Sequence, residues 1–129
     1  MAQPTDRLYT KDHEWVKIDG TSAVIGITDH AQSSLGDIVY VELPKPGAPL
    51  EQGQAIGVVE SVKAVSDIYA PISGTVTEVN ASVEEDPAKV NGDPFGDGWL
   101  VKVTLTSPDD TKKLLDAAAY AAVVQAESH

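Results

Sequence analysis

The sequence contains no cysteine. Disulfides, thiol catalysis and Cys-ligated zinc are therefore excluded, and any sulfur chemistry would need its sulfur imported on a cofactor. A chain without thiols also cannot form a mixed disulfide with such a cofactor. Bases are scarce, with 9 Lys and Arg against 20 Asp and Glu, for a net charge of −11. That charge repels phosphate backbones and argues against nucleic-acid binding, while favouring solubility and basic patches on protein partners. No apolar run approaches the ~20 residues that span a membrane. Residues 1–7 have neither the apolar stretch of a secretory signal nor the arginines of a transit peptide, so a cytoplasmic protein of bacterial type is expected. The P-loop, the Gly-x-Gly-x-x-Gly fingerprint and the Gly-x-Ser-x-Gly elbow are all missing. The three histidines, His13, His30 and His129, are not spaced as metal ligands, and no metal site is expected.

What remains is a chain of 129 residues, 42% of them apolar, which suits one domain over residues 1–129. A chain of that size buries roughly two-thirds of the surface it exposes unfolded. Its patterning is mainly β. Residues 14–18 alternate as a half-buried strand, Asp19-Gly20 is a favoured hairpin turn, and residues 23–27 return. Thr28 can cap a short helix running to Leu35, with Gly36 as its stop. Residues 38–43, rich in β-branched and aromatic side chains, predict another strand, and Pro44, Pro46, Gly47 and Pro49 a rigid loop. Strands follow over residues 75–79 and 99–103, separated by a polar loop at 80–98. Asn80-Ala81-Ser82 in that loop matches the N-glycosylation pattern by chance. At the end, Ser107-Pro108-Asp109-Asp110 is a helix start. Leu114, Leu115, Ala118, Ala122 and Val123 recur at helical spacing, predicting one helix over 108–125 with an apolar face.

The most informative stretch is residues 55–74. Two apolar β-type arms, residues 55–61 and 64–69, flank Lys63 with no Gly-Gly or Asn-Gly turn between them. A glycine-led β segment on each side makes a weak internal echo. By its type alone, a lysine here is a solvated charge. Its setting changes that reading. Glu60-Ser61-Val62-Lys63-Ala64, followed by Ser66-Asp67 and Pro71-Ile72-Ser73-Gly74, resembles the lipoyl-attachment segment of glycine cleavage system H proteins. Biotin carriers usually flank their lysine with methionines, whereas Val62 and Ala64 stand here. Further blocks resemble the same family: His13-Glu14-Trp15-Val16, Gly26-Ile27-Thr28-Asp29-His30-Ala31-Gln32, Leu35-Gly36-Asp37-Ile38-Val39-Tyr40-Val41-Glu42-Leu43-Pro44, Val90-Asn91-Gly92-Asp93-Pro94-Phe95-Gly96 and Gly98-Trp99-Leu100. The similarity spans roughly residues 7–125 and is weakest over 82–89.

The resemblance implies a flattened β-barrel or sandwich of the lipoyl-domain type (a barrel-sandwich hybrid), and a carrier rather than an enzyme. Lipoate would be joined to Lys63 as N6-lipoyllysine by a lipoate ligase or transferase, with Glu60, Ser61, Val62 and Ala64 forming the modification motif. A pyridoxal-phosphate glycine decarboxylase would load the arm with an aminomethyl group. A tetrahydrofolate-dependent aminomethyltransferase would unload it, and dihydrolipoyl dehydrogenase would reoxidise the dithiol. The cofactor carries the chemistry, and the protein supplies display and docking. The loaded arm bears a cationic amine prone to hydrolytic loss, and the resemblance makes Glu14 and Asp67 candidates to hold it in a cleft. Three other functions fit the residues less well. They are a small acid–base enzyme using His13 or His30, a lipoyl domain of a 2-oxoacid dehydrogenase complex, and a relay that passes lipoyl groups to other carriers.

Overall fold

The computed structural model describes residues 4–127. Six strands form one antiparallel sheet: β1 (Leu8–Tyr9), β2 (Glu14–Asp19), β3 (Ser22–Ile27), β5 (Pro49–Leu50), β8 (Gly74–Val79) and β9 (Val101–Leu105). Their spatial order is β1-β2-β3-β9-β8-β5. Three more, β4 (Ile38–Glu42), β6 (Ala55–Ser61) and β7 (Val65–Tyr69), form a second antiparallel sheet in the order β4-β6-β7. Among the described residues both sheets are open, so the architecture is a mainly β sandwich rather than a closed barrel. No described helix is long and apolar enough to cross a membrane.

The first hairpin turns one residue later than the Asp19-Gly20 signal suggests. Asp19 still pairs with Ser22, so the two loop residues are Gly20 and Thr21. Gly20 takes φ 63° and Thr21 does not take positive φ, which matches a turn with glycine at its first central position. The register then runs back to Glu14 opposite Ile27. It continues one step further, because Thr28 N–H donates to the His13 carbonyl at 3.0 Å.

Helix α1 (Asp29–Leu35) starts and stops where the sequence predicts. The Thr28 hydroxyl accepts from Ala31 N–H, and the Gly36 N–H closes on the Gln32 carbonyl. Gly36 adopts φ 82° and ψ −153°, a region that is essentially glycine's alone.

The segment expected to be a polar loop at 80–98 instead holds two short helices, α2 (Ala81–Glu85) and α3 (Ala88–Gly92). Val83 and Val90 are fully buried and draw these turns down onto Ile38, Val41, Val59 and Ile68. Asn80 caps α2 through its carbonyl oxygen, and its amide donates to the Asp97 and Trp99 carbonyls. Asn80 is therefore a buried structural cap, which explains its Asn-x-Ser context without glycosylation.

The C-terminal segment is also not one continuous helix. Pro108–Lys113 forms a 3₁₀ turn, the chain then extends, and α4 runs over Ala117–Glu127. The break arises because Leu115 makes a two-way backbone bridge with Tyr9, at 2.8 and 2.7 Å, a pairing no helical residue could make. Asp116 restarts the helix by accepting from Ala119 N–H through its carboxylate and from Tyr120 N–H through its carbonyl. The restart changes the buried face. Ala118 and Ala122 are exposed, whereas Ala117, Tyr120 and Val124 pack on Tyr9, Trp15 and their neighbours. Tyr120 is fully buried and stacks on Tyr9 with ring centroids 4.7 Å apart.

The core has three parts. One lies mainly on the six-stranded sheet, around Val16, Ile25, Ile72 and Val103. The second lies beneath the three-stranded sheet and helices α1–α3, and Leu43 and Ile56 pack against both. The third is the aromatic cluster under α4.

Candidate functional site

Lys63 lies at the tip of the β6–β7 hairpin, where Glu60 pairs with Val65. The tip has no glycine, and a side chain takes its place in closing the turn. Ser61 N–H donates to the Ala64 carbonyl at 2.8 Å. The Ser61 hydroxyl accepts from Ala64 N–H at 3.0 Å and from Lys63 N–H at 3.3 Å. Val62 N–H donates to the Asp37 carbonyl at 3.1 Å, pinning the tip to the loop between α1 and β4. Lys63 itself is exposed, and among the described residues its amine makes no hydrogen bond or ion pair. These features suit a lysine whose amine is to be acylated. Its backbone is fixed, its nitrogen is free, and its Cε borders Gly36.

Asn91 organises the loop that holds this tip. Its side-chain oxygen accepts from Ile38 N–H at 2.9 Å, and its amide donates to the Gly36 carbonyl at 2.8 Å and to Gln32 Oε1 at 2.9 Å. It ties α3 to both sides of Asp37. The amino-acid order suggests no role for Asn91, because its partners lie far off in the chain. Asn91→Ala leaves the Ile38 donor and the Gly36 acceptor unpaired, and should cost about 1–3 kcal/mol of stability by urea unfolding. Hydrogen exchange at Val62 N–H should also quicken. Unchanged Val62 exchange in the folded variant would show that the brace does not reach the lysine.

The outward face of the three-stranded sheet leads away from Lys63. Across it Tyr40, Glu60 and Val65 form one row, and Glu42, Val58 and Asp67 the next. Val39, Tyr40, Val62 and Val65 are exposed despite their size, from 45% for Tyr40 to 70% for Val62. Exposed apolar side chains clustered about one lysine are the usual mark of a surface that meets partners.

Glu14 lies elsewhere, at the start of β2, and is only 2% exposed. Its carboxylate accepts from the Thr10 hydroxyl at 2.6 Å and from Tyr69 N–H at 3.2 Å. Since β7 is an edge strand, Glu14 joins the rim of one sheet to the other. Burial raises its pKa from 4.5 to about 7, opposed by the bonds from Thr10 and Tyr69 and assisted by Asp12. Glu14 lines a cavity of about 460 Å³ together with Thr10, Asp12, Tyr69, Pro71 and Leu115. Exposed Lys11 and Lys113 stand on its wall. A near-neutral carboxyl in an apolar-walled cavity can accept a cation by giving up its proton.

Asp67 does not line that cavity. It is exposed on β7, two residues from Tyr69 and hence on the same strand face. Along the chain it stands between the Lys63 tip and Tyr69, which lines the cavity. The structure thus separates the two acids, with Glu14 inside and Asp67 on the approach.

His13 and His30 do meet, contrary to the expectation from spacing. Their ring centroids are 4.7 Å apart, and Glu127 of α4 joins them. The hairpin register is the reason, since it sets His13 opposite Thr28, at the start of the helix that carries His30. A register count from the turn is the signal that points to this meeting. His129 lies outside the described residues.

Comparisons with known proteins converge on one family. The family model described as Glycine cleavage H-protein matches residues 7–127. The chain is 53% identical over 124 residues to the glycine cleavage system H protein of Rubrobacter xylanophilus, covering 96% of each chain. It is 50% identical over 128 residues to that of Thermus thermophilus, covering 99% of this chain and 100% of the other. The crystal structure of a glycine cleavage system H protein from Mycobacterium marinum superposes with a TM-score of 0.83 at 42% identity, over 93% of this chain and 97% of that one.

Proposed function

Since the chain belongs to the glycine cleavage H-protein family, we propose that it is a non-catalytic shuttle whose Lys63 carries lipoate in amide linkage as N6-lipoyllysine. The single observation that carries this reading is the free, exposed Lys63 amine on a hairpin tip braced by Ser61 and Asp37. When attached, lipoate supplies a dithiolane that takes up and delivers the aminomethyl group of glycine. The protein's residues do the rest. Ser61, Asp37 and Asn91 hold the attachment point in register. Tyr40, Val62 and Val65 present an apolar surface to which a lipoate ligase or transferase, and then the working partners, bind. Those partners are the pyridoxal-phosphate glycine decarboxylase, the tetrahydrofolate-dependent aminomethyltransferase and dihydrolipoyl dehydrogenase, in the bacterial cytoplasm.

Glu14 and Asp67 serve the loaded state. Asp67, on the strand face between the tip and the cavity, attracts a cationic amine towards it. Glu14 then ionises and holds that amine away from bulk water, behind walls formed by Pro71 and Leu115. An isolated carboxyl with a pKa near 7 would be costly to ionise inside an apolar site, and an incoming ammonium removes much of that cost.

Intact mass with peptide mapping, after incubation with lipoate, ATP and a lipoate ligase, tests the reading. One lipoyl increment confined to the Lys63 peptide is expected. A folded protein that gains no increment, with a ligase active on a control domain, would overturn it.

A further inference from the structure

Away from the Lys63 tip and the cavity lining, three side chains that can ligate a metal come together. We propose that His13, His30 and Glu127 form a binding site for a divalent transition-metal ion of the zinc type, clamping α4 onto α1 and the turn before β2. One ligand atom from each residue lies within 4.8 Å of the other two. Four-coordinate zinc, with bonds near 2.0–2.2 Å, sets its ligands about 3.3 Å apart. His13 Nε2 and Glu127 Oε1 are already 3.0 Å apart, and the half-exposed Glu127 side chain can shift to complete the set. Two imidazoles and one carboxylate leave a fourth position open, as divalent zinc accepts.

Three independent features point to an ion rather than to a plain His–Glu pair. First, His13 is oriented from behind. Its Nδ1 lies 2.7 Å from the Tyr120 hydroxyl, which lies 2.7 Å from Thr28 Oγ1, and both Tyr120 and Thr28 are fully buried. With a metal on Nε2, Nδ1 carries the hydrogen and donates to Tyr120 Oη, which in turn donates to Thr28 Oγ1. That is the supporting hydrogen bond metal-bound histidines ordinarily make. Second, His13 is the one described non-glycine residue with positive φ, at 71°. A left-handed backbone is tolerated where something holds it, and here it aims the ring at the cluster. Third, the His30 ring has no hydrogen-bond partner among the described residues, yet it lies against that of His13. Two facing imidazoles repel when both are protonated, whereas a shared cation satisfies both as neutral ligands.

The test uses the full chain without lipoate, because a reduced dithiol would itself chelate zinc. Calorimetric titration with Zn²⁺ at pH 7.5, with stoichiometry from native mass spectrometry, should show one ion per chain and a rise in melting temperature. His30→Ala and Glu127→Gln should each weaken binding at least tenfold, and lowering the pH to 5.5 should release the ion. Neither variant removes a buried hydrogen bond, so both should fold. Co²⁺ should give the intense visible bands of a tetrahedral site, and those bands should be lost in His30→Ala. Binding of undiminished affinity in both variants would place the ion elsewhere and overturn the assignment. Failure of the folded wild type to bind one equivalent would also overturn it. Because the chain is tested without lipoate, neither outcome depends on whether Lys63 can serve as the attachment residue.

Discussion

Lys63→Arg is expected to abolish carriage entirely while leaving the fold unchanged. The Lys63 side chain is exposed and makes no hydrogen bond or ion pair among the described residues, so the substitution removes no stabilising contact. A surface change of this kind alters stability by about 0.5 kcal/mol at most. Arginine keeps the charge and much of the length, but its delocalised guanidinium is a poor nucleophile and always protonated, so the amide to lipoate cannot form. Circular dichroism and urea unfolding should superimpose on the wild type. A reconstituted glycine cleavage assay should fall to its background without this protein. Activity retained in Lys63→Arg would refute the attachment assignment outright. By contrast, Ser61→Ala should only slow modification, since it loosens the tip without removing the amine.

The second large effect belongs to Glu14. Its folded pKa of about 7 lies above the ordinary 4.5, because burial disfavours the carboxylate. Between those two values the folded protein holds a proton that the unfolded chain releases. The contribution of Glu14 to stability therefore falls as pH rises from 4.5 to about 7, and its loss is complete above that window. At ~1.4 kcal/mol per pKa unit, the penalty at pH 8 is about 3 kcal/mol. Glutamine cannot titrate, and its amide can replace the carboxyl towards the Thr10 hydroxyl while its oxygen accepts from Tyr69. Glu14→Gln should thus gain about 3 kcal/mol relative to wild type between pH 4 and pH 8. Paired urea titrations read the difference directly, because every other group cancels. A pH-independent difference would show that Glu14 does not titrate in this range.

The same residue should matter in the loaded protein. If Glu14 holds the arm's amine, Glu14→Ala should release ammonia and formaldehyde from the loaded arm several-fold faster than wild type. Decay at the wild-type rate would remove Glu14 from that role and leave the cavity without one. Asp67→Asn should have a smaller effect on decay, because Asp67 stands in water on the approach and not inside the cavity.

Much of this molecule is legible in its amino-acid order. Thr28 and Gly36 mark the two ends of α1 because capping acts over three or four residues. The arms around Lys63 are β-branched and short, and they pair as a hairpin. The sequence blocks point to the family that the comparisons show. Features whose partners lie far away in the chain do not show in the same way. The helix start at Ser107-Pro108 is locally sound, yet Leu115 is pulled into extended pairing with Tyr9 and the helix restarts on Asp116 with Tyr120 as its buried residue. The polar composition of 80–98 conceals Val83 and Val90, whose burial depends on the second sheet.

Strand patterning, caps and turn chemistry act between near neighbours, so the fold class and the hairpin that displays Lys63 follow from the order of residues alone. Packing of the two sheets and the terminal helix was needed to bury Glu14 against Tyr69 while leaving Asp67 in water. The same packing makes Asn91 the brace of the lysine's loop and brings His13, His30 and Glu127 together. Burial and convergence are properties of how distant segments meet. An acid has the same chemistry in any strand, and its dielectric surroundings and neighbours are set only when the tertiary structure closes around it.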